Sequence, residues 1–118
     1  MMNLSLDVHG HDDGATLAVA GEVDRHCAGR LLERSLGAVR EHGPWLTIDL
    51  AGVTFMDCGG VEVLLTIRCR SHQMGGQLWM ISPSAPVRRV FGILGLDAVL
   101  APPGRPETDE NVTTCEEW

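Results

Sequence analysis

No run in the sequence approaches the ~20 consecutive apolar residues that a bilayer-spanning helix requires, which excludes such a helix among these residues. Lysine is absent as well. The nine cationic side chains are all arginine, they face sixteen Asp and Glu, and the formal net charge is −7. An acidic chain is poorly suited to gripping nucleic acid, which needs a basic surface, or to docking on an anionic membrane. The missing lysine reads as compositional bias rather than as a site. The opening MMNLSLDVHGHDDG has neither the basic end nor the apolar stretch of a secretory signal, so the expected location is the cytoplasm. The four cysteines (Cys27, Cys58, Cys69, Cys115) form no CxxC pair, and in a reducing cytosol they are expected as free thiols. The five His residues form no HxxxH or HExxH pattern, and His9, His11 and Asp12 read as a solvated turn rather than a metal site. There is no Gly-rich phosphate loop and no Ser-His-Asp grouping. The expectation is therefore no enzyme, no catalytic residue, no cofactor and no metal.

What is present suits one globular domain. Of the 118 residues, 44% are hydrophobic and 21% charged, the balance of an ordinary soluble fold. Residues 1–101 carry the alternation of a folded unit. From Pro102 a Pro/Gly-rich stretch leads into an acidic tail, 102–118, expected to be mobile.

Leu4, Leu6 and Val8 alternate with polar neighbours and predict a strand. His11-Asp12-Asp13-Gly14 predicts a turn, and Thr16–Ala20 the second strand of a hairpin that Gly21 ends. Asp24 is a candidate helix N-cap. Ala28, Leu31, Leu32, Ser35, Leu36 and Val39 follow at helical spacing, and Gly43-Pro44 stops the helix. Trp45–Leu50 reads as a strand buried on both faces, with Trp45 and Trp79 assigned to the core. A turn at Ala51-Gly52 separates it from Val53–Met56. A helix over Val61–Arg68 has a broad apolar surface that takes in Cys69, and Gly75-Gly76 ends it. Gln77–Ser82 reads as a strand. Ser84 and Pro86 open a last helix with Val87, Val90, Phe91 and Leu94 on its core face, capped by Gly95. Val99-Leu100 is a candidate final strand. The order β-β-α-β-α-β-α-(β) implies an α/β fold, a mixed sheet with parallel crossovers and helices packed against it.

The segment richest in chemistry is Asp57-Cys58-Gly59-Gly60-Val61. It sets an acid and a small nucleophile at a strand end directly before a helix, where backbone N–H groups favour negative charge. Gly59 and Gly60 permit close backbone approach. Asp57 reads as a cap or turn residue.

Four pieces, in order, resemble the STAS domain, the fold of anti-sigma factor antagonists: Gly21-Glu22-Val23-Asp24; Leu46–Leu50 with Val53–Phe55; Asp57-Cys58-Gly59-Gly60-Val61, similar to the family's "DSSGL" signature; and Val90–Asp97, similar to its closing "LTGLD" helix. The resemblance spans about Leu4 to Leu100. It implies partner switching. Family members bind an anti-sigma factor that is also a serine kinase of the histidine-kinase ATPase fold, which frees a sigma factor. The kinase phosphorylates the first Ser of the signature and binding is lost, because phosphate adds ~1.5–2 negative charges to the contact surface. The implied partner-binding residues are Asp24, Asp57, Cys58, Gly59, Gly60 and Glu62.

Cys58 departs from the pattern, standing where the family has its acceptor Ser, and Gly59 removes the second hydroxyl. Glu62 adds a charge where the family has a small residue. Cys58 then has three readings: a small residue tolerated at a helix start, an antagonist that phosphorylation cannot release, or a thiol redox sensor. A helix N-terminus favours a thiolate, while Asp57 and Glu62 oppose it, which ranks the sensor below the unreleasable antagonist. In the resembled fold Cys27 lies near Cys58, so a disulfide between them is conceivable, although a reducing cytosol opposes it. A scaffold role in a larger signalling assembly is the other alternative.

Overall fold

A computed structural model describes residues 3–12 and 14–100. Asp13 of the predicted turn and the tail from Pro102, with Cys115 and Trp118, lie outside the described residues. The elements are β1 (Leu4–Gly10), β2 (Gly14–Val23), α1 (Ala28–His42), β3 (Trp45–Met56), α2 (Cys58–Gln73), β4 (Gln77–Ile81), α3 (Ala85–Ile93) and a 3-10 turn over Asp97–Leu100. The four strands form one sheet in the order β1-β2-β3-β4. β1 and β2 are an antiparallel hairpin, while β2–β3 and β3–β4 pair in parallel through the crossover helices α1 and α2. The mixed α/β architecture is the one the sequence implies.

Alternation along the strands sets the core. Leu17, Val19, Leu46, Ile48, Leu78 and Met80 point to one face and are buried with Leu31 and Val39 of α1 and Val61, Leu64 and Ile67 of α2. Phe91 and Val87 of α3 are completely buried in the same cluster, each contributing about 1.5–3 kcal/mol. The opposite face is only half-buried. There Trp45 and Trp79 stack with ring centroids 5.7 Å apart, so they are not core residues as the sequence suggests. Their positions alternate with Leu46, Leu78 and Met80, which take the core side.

In β2 and β3 a local signal is overridden by strand pairing. β2 does not stop at Gly21 but runs to Val23, with Gly21 at φ +100° inside it. Ala51-Gly52 does not break β3. Pairing of Ala18 with Asp49 but Ala20 with Gly52, then Gly21 with Val53 but Glu22 with Phe55, places two extra residues in β3 as bulges. The first bulge is supported by the Asp49 carboxylate, which accepts the Ala51 N–H at 3.0 Å. Bulging turns the burial period from two to three, so Leu50, Val53 and Met56 are buried while Thr54 and Phe55 are exposed. Val99 and Leu100 lie in the 3-10 turn rather than in a strand, and β4 ends at Ile81. Ser84 takes the N-cap position of α3, but its hydroxyl is buried and makes no capping bond. Gly95 follows α3 at φ +71°, the left-handed conformation that glycine supplies at a helix end. Among the described residues no helix is long and apolar enough to cross a membrane.

Candidate partner-binding site

The site is built where β2 and β3 end side by side. Val23 pairs with Met56, and the Asp57 N–H donates to the Val23 carbonyl at 3.3 Å. The two chain ends therefore leave the sheet together, one into the loop before α1 and the other into α2.

Asp57 is the N-cap of α2. Its carboxylate accepts the Gly60 N–H at 3.2 Å, satisfying one of the otherwise unpaired donors of the first turn. That bond starts the helix at Cys58, three residues earlier than apolar periodicity indicates. Cys58 is thus the first helical residue, and its side chain is exposed. Glu62, also exposed, lies one turn on and shares its face. The Glu62 carbonyl accepts the Thr66 hydroxyl at 2.9 Å, which leaves the Glu62 carboxylate outside that bond.

Asp24 is not the N-cap of α1. The helix begins at Ala28 with Cys27 at the cap position. Asp24 instead folds the loop on itself, its carboxylate accepting N–H bonds from His26 (2.9 Å) and Cys27 (3.1 Å) and lying 3.3 Å from the Cys27 sulfur. The thiol contact, then these backbone donors and the nearby His26, lower the Asp24 pKa against a smaller desolvation cost. Cys27 is buried, and its single thiol proton is shared between the Glu22 carbonyl, 3.0 Å from the sulfur, and the Asp24 carboxylate. Burial, with Asp24 beside it, pushes its pKa up. Cys27, Cys58 and Cys69 form no disulfide, and Cys69 is buried in α2.

Gly59 and Gly60 explain how loop and helix meet. A Cβ on Gly59 would lie 2.8 Å from Arg25 Cα, and one on Gly60 would lie 2.7 Å from the Val23 carbonyl oxygen. The close approach that these glycines allow is made by the chain's own loop. Asp24, Asp57, Cys58, Gly59, Gly60 and Glu62 accordingly belong to one continuous region. Two neighbours were not among the candidate site residues: Arg25, exposed on the loop that Gly59 supports, and Phe55, 48% exposed beside Asp57. Only the second β-bulge turns Phe55 outward, and no local pattern announces it. Among the described residues no three His, Cys, Asp or Glu side chains converge as a metal set.

The geometry is a capped helix start with an exposed small side chain upon it and, alongside, a loop held by hydrogen bonds to the Asp24 carboxylate. The family profile described as "Mlab, STAS domain" matches residues 6–102. The chain belongs to the STAS family. This STAS chain is 31% identical over 99 residues to the anti-sigma-B factor antagonist of Bacillus subtilis (strain 168), covering 84% of this chain and 90% of that one. Its fold is similar to that of the anti-sigma factor antagonist SpoIIAA. The unphosphorylated form superposes with a TM-score of 0.68 at 21% identity, covering 98% of this chain and 96% of that one. The phosphorylated Bacillus form gives 0.64 at 20% identity, with 89% and 95% covered.

Proposed function

We propose that this STAS chain is an anti-sigma factor antagonist, that it holds a serine-kinase anti-sigma factor and so frees a sigma factor, and that phosphorylation at the usual position cannot release it. The observation that carries the reading is Cys58: exposed, first in α2, and followed by Gly59, which packs against Arg25 of the 24–27 loop. The relationship to an anti-sigma-B factor antagonist supports the partner class. In the wider fold, SpoIIAA is known in phosphorylated and unphosphorylated forms, so the fold accommodates a phosphate. Here neither position 58 nor 59 offers a hydroxyl to receive one. A thiol is not an ordinary acceptor for a Ser/Thr kinase. The contact surface consists of Asp24, Asp57, Cys58, Gly59 and Glu62, flanked by Arg25 and Phe55, while Gly60, a candidate contact in the sequence, is buried against Val23 and Met56 and supports that surface from beneath. It acts by binding, without catalysis, in the cytoplasm.

The test is capture from source-cell lysate by the wild type, Cys58→Ser and Cys58→Asp, with bound proteins identified by mass spectrometry. Wild type and Cys58→Ser should retain an ATPase of histidine-kinase fold, and Cys58→Asp should lose it. Incubated with that kinase and ATP, Cys58→Ser should take up phosphate and dissociate, whereas wild type should do neither. Phosphate on wild type at Cys58, or at a neighbouring hydroxyl with loss of binding, refutes the absence of release. Failure of all three to capture such a protein refutes the antagonist reading and brings scaffold and thiol-sensor roles forward.

A further inference from the structure

Among the described residues β1 is an edge strand, and the backbone groups that β2 leaves unpaired can be assigned. Glu22 N–H donates to Asn3 O at 2.9 Å, and His11 N–H donates to Gly14 O at 2.7 Å. With the register of Leu4 opposite Gly21, the odd-numbered residues of β1 bond to β2. The amides and carbonyls of Leu4, Leu6, Val8 and Gly10 therefore point away from the sheet. Arg34 confirms the direction, since its Nη2 reaches over from α1 to donate to Leu6 O at 3.3 Å. Between this edge and α1 lies a groove of about 380 Å³ lined by Val8, Glu33, Arg34, Gly37, Arg40 and Glu41. A Cβ on Gly37 would meet no neighbour, so the helix wall is open at its middle.

We propose that this edge pairs with the β1 edge of a second copy, joining two sheets about a two-fold axis. Three observations favour a second copy over another partner. First, the groove is charge-balanced, Glu33 and Glu41 against Arg34 and Arg40, on a chain whose net charge of −7 makes copies repel elsewhere. Such a patch complements itself, as an isologous contact requires. Second, antiparallel pairing with Val8 opposite the partner's Val8 brings only outward-pointing residues into hydrogen-bonded positions. Third, that register sets exposed Asp7 opposite the partner's His9, and exposed His9 opposite the partner's Asp7, where side chains approach most closely. Centring on Asp7 instead would oppose two carboxylates. In the pair, Leu6 O passes from Arg34 to the amide of the partner's Gly10. The β1 edge lies apart from the Cys58 surface in the sequence of elements, so the pairing does not rest on the antagonist reading.

Sedimentation of the full chain from low to high micromolar concentration tests the pairing. The wild type should dimerise reversibly. Val8→Pro removes an outward N–H that the β1–β2 ladder does not use, and should weaken dimerisation about tenfold or more. His9→Asp, which opposes two carboxylates, should weaken it about threefold to tenfold. Asp7→His combined with His9→Asp should return it to within about twofold of wild type, while thermal melting by circular dichroism shows each variant folded. A monomer throughout the range overturns the proposal. So does a dimer indifferent to the charge exchange, or a β1 edge whose amide NMR signals shift only on adding an unrelated extended peptide.

Discussion

Gly59 packs against the backbone of Arg25, so closely that a Cβ added to Gly59 would stand 2.8 Å from Arg25 Cα. The contact joins the loop before α1 to the first turn of α2 and makes one surface of two distant segments. Gly59→Ala gains about 0.8–1.0 kcal/mol of helix propensity. Overpacking against backbone costs about 1–3 kcal/mol, since backbone cannot swing aside as a side-chain end can. The clash wins. Urea denaturation should show a net loss of at most about 2 kcal/mol, and partner affinity should fall as the loop is displaced. Unchanged stability with unchanged affinity would mean that the loop moves away freely.

Asp24 gives stability an acid-side dependence. Its folded pKa is lowered, first by the Cys27 thiol and then by the backbone donors of Cys27 and His26. The sign follows from linkage: a carboxyl that is more acidic when folded stabilises the fold above its ordinary value of about 3.9. The contribution is lost as pH falls from there through the folded value. Urea melts of wild type and Asp24→Asn should differ at neutral pH and converge in strong acid. A gap that is constant with pH would show that the charge of Asp24 is immaterial.

The thiols should separate by reactivity. In a Cys115→Ser background, Ellman's reagent should modify one cysteine rapidly in the native state, namely exposed Cys58. Buried Cys27 and Cys69 should react only on unfolding. Cys27 is protected twice, by burial and by a raised pKa that keeps the thiol protonated. Mass mapping of the first adduct checks the assignment, and an adduct on Cys27 would contradict the packing described above.

Asp57→Ala removes the cap of α2. The loss should be about 1 kcal/mol by thermal or chemical denaturation, with faster hydrogen exchange at the Gly60 amide that the carboxylate now holds. Asp57→Ser, which restores an acceptor, should recover most of the loss.

Much of this was legible in the residues themselves. Apolar periodicity placed three helices and four strands because a two-residue or 3.6-residue repeat is itself the condition for burying one face. The ordered motifs from Gly21 to Asp97 identified the family, and the Asp57–Gly60 stretch marked the start of α2. Periodicity misjudged what depends on a neighbour. Ala51-Gly52 has the composition of a turn, yet pairing with β2 keeps β3 continuous and converts the signal into a bulge. Asp24 has the chemistry of a helix cap, but the buried Cys27 draws its carboxylate into a loop. Trp45 and Trp79 have the hydrophobicity of core residues, but strand alternation gives the core side to their neighbours. The sequence by itself determined which elements form and which segment carries the motif. Only the tertiary structure decided that Phe55 faces out, that Gly59 receives Arg25, and which backbone groups of β1 remain unpaired. Those outcomes depend on contacts between residues far apart in the chain, and local propensity carries no energy term for them.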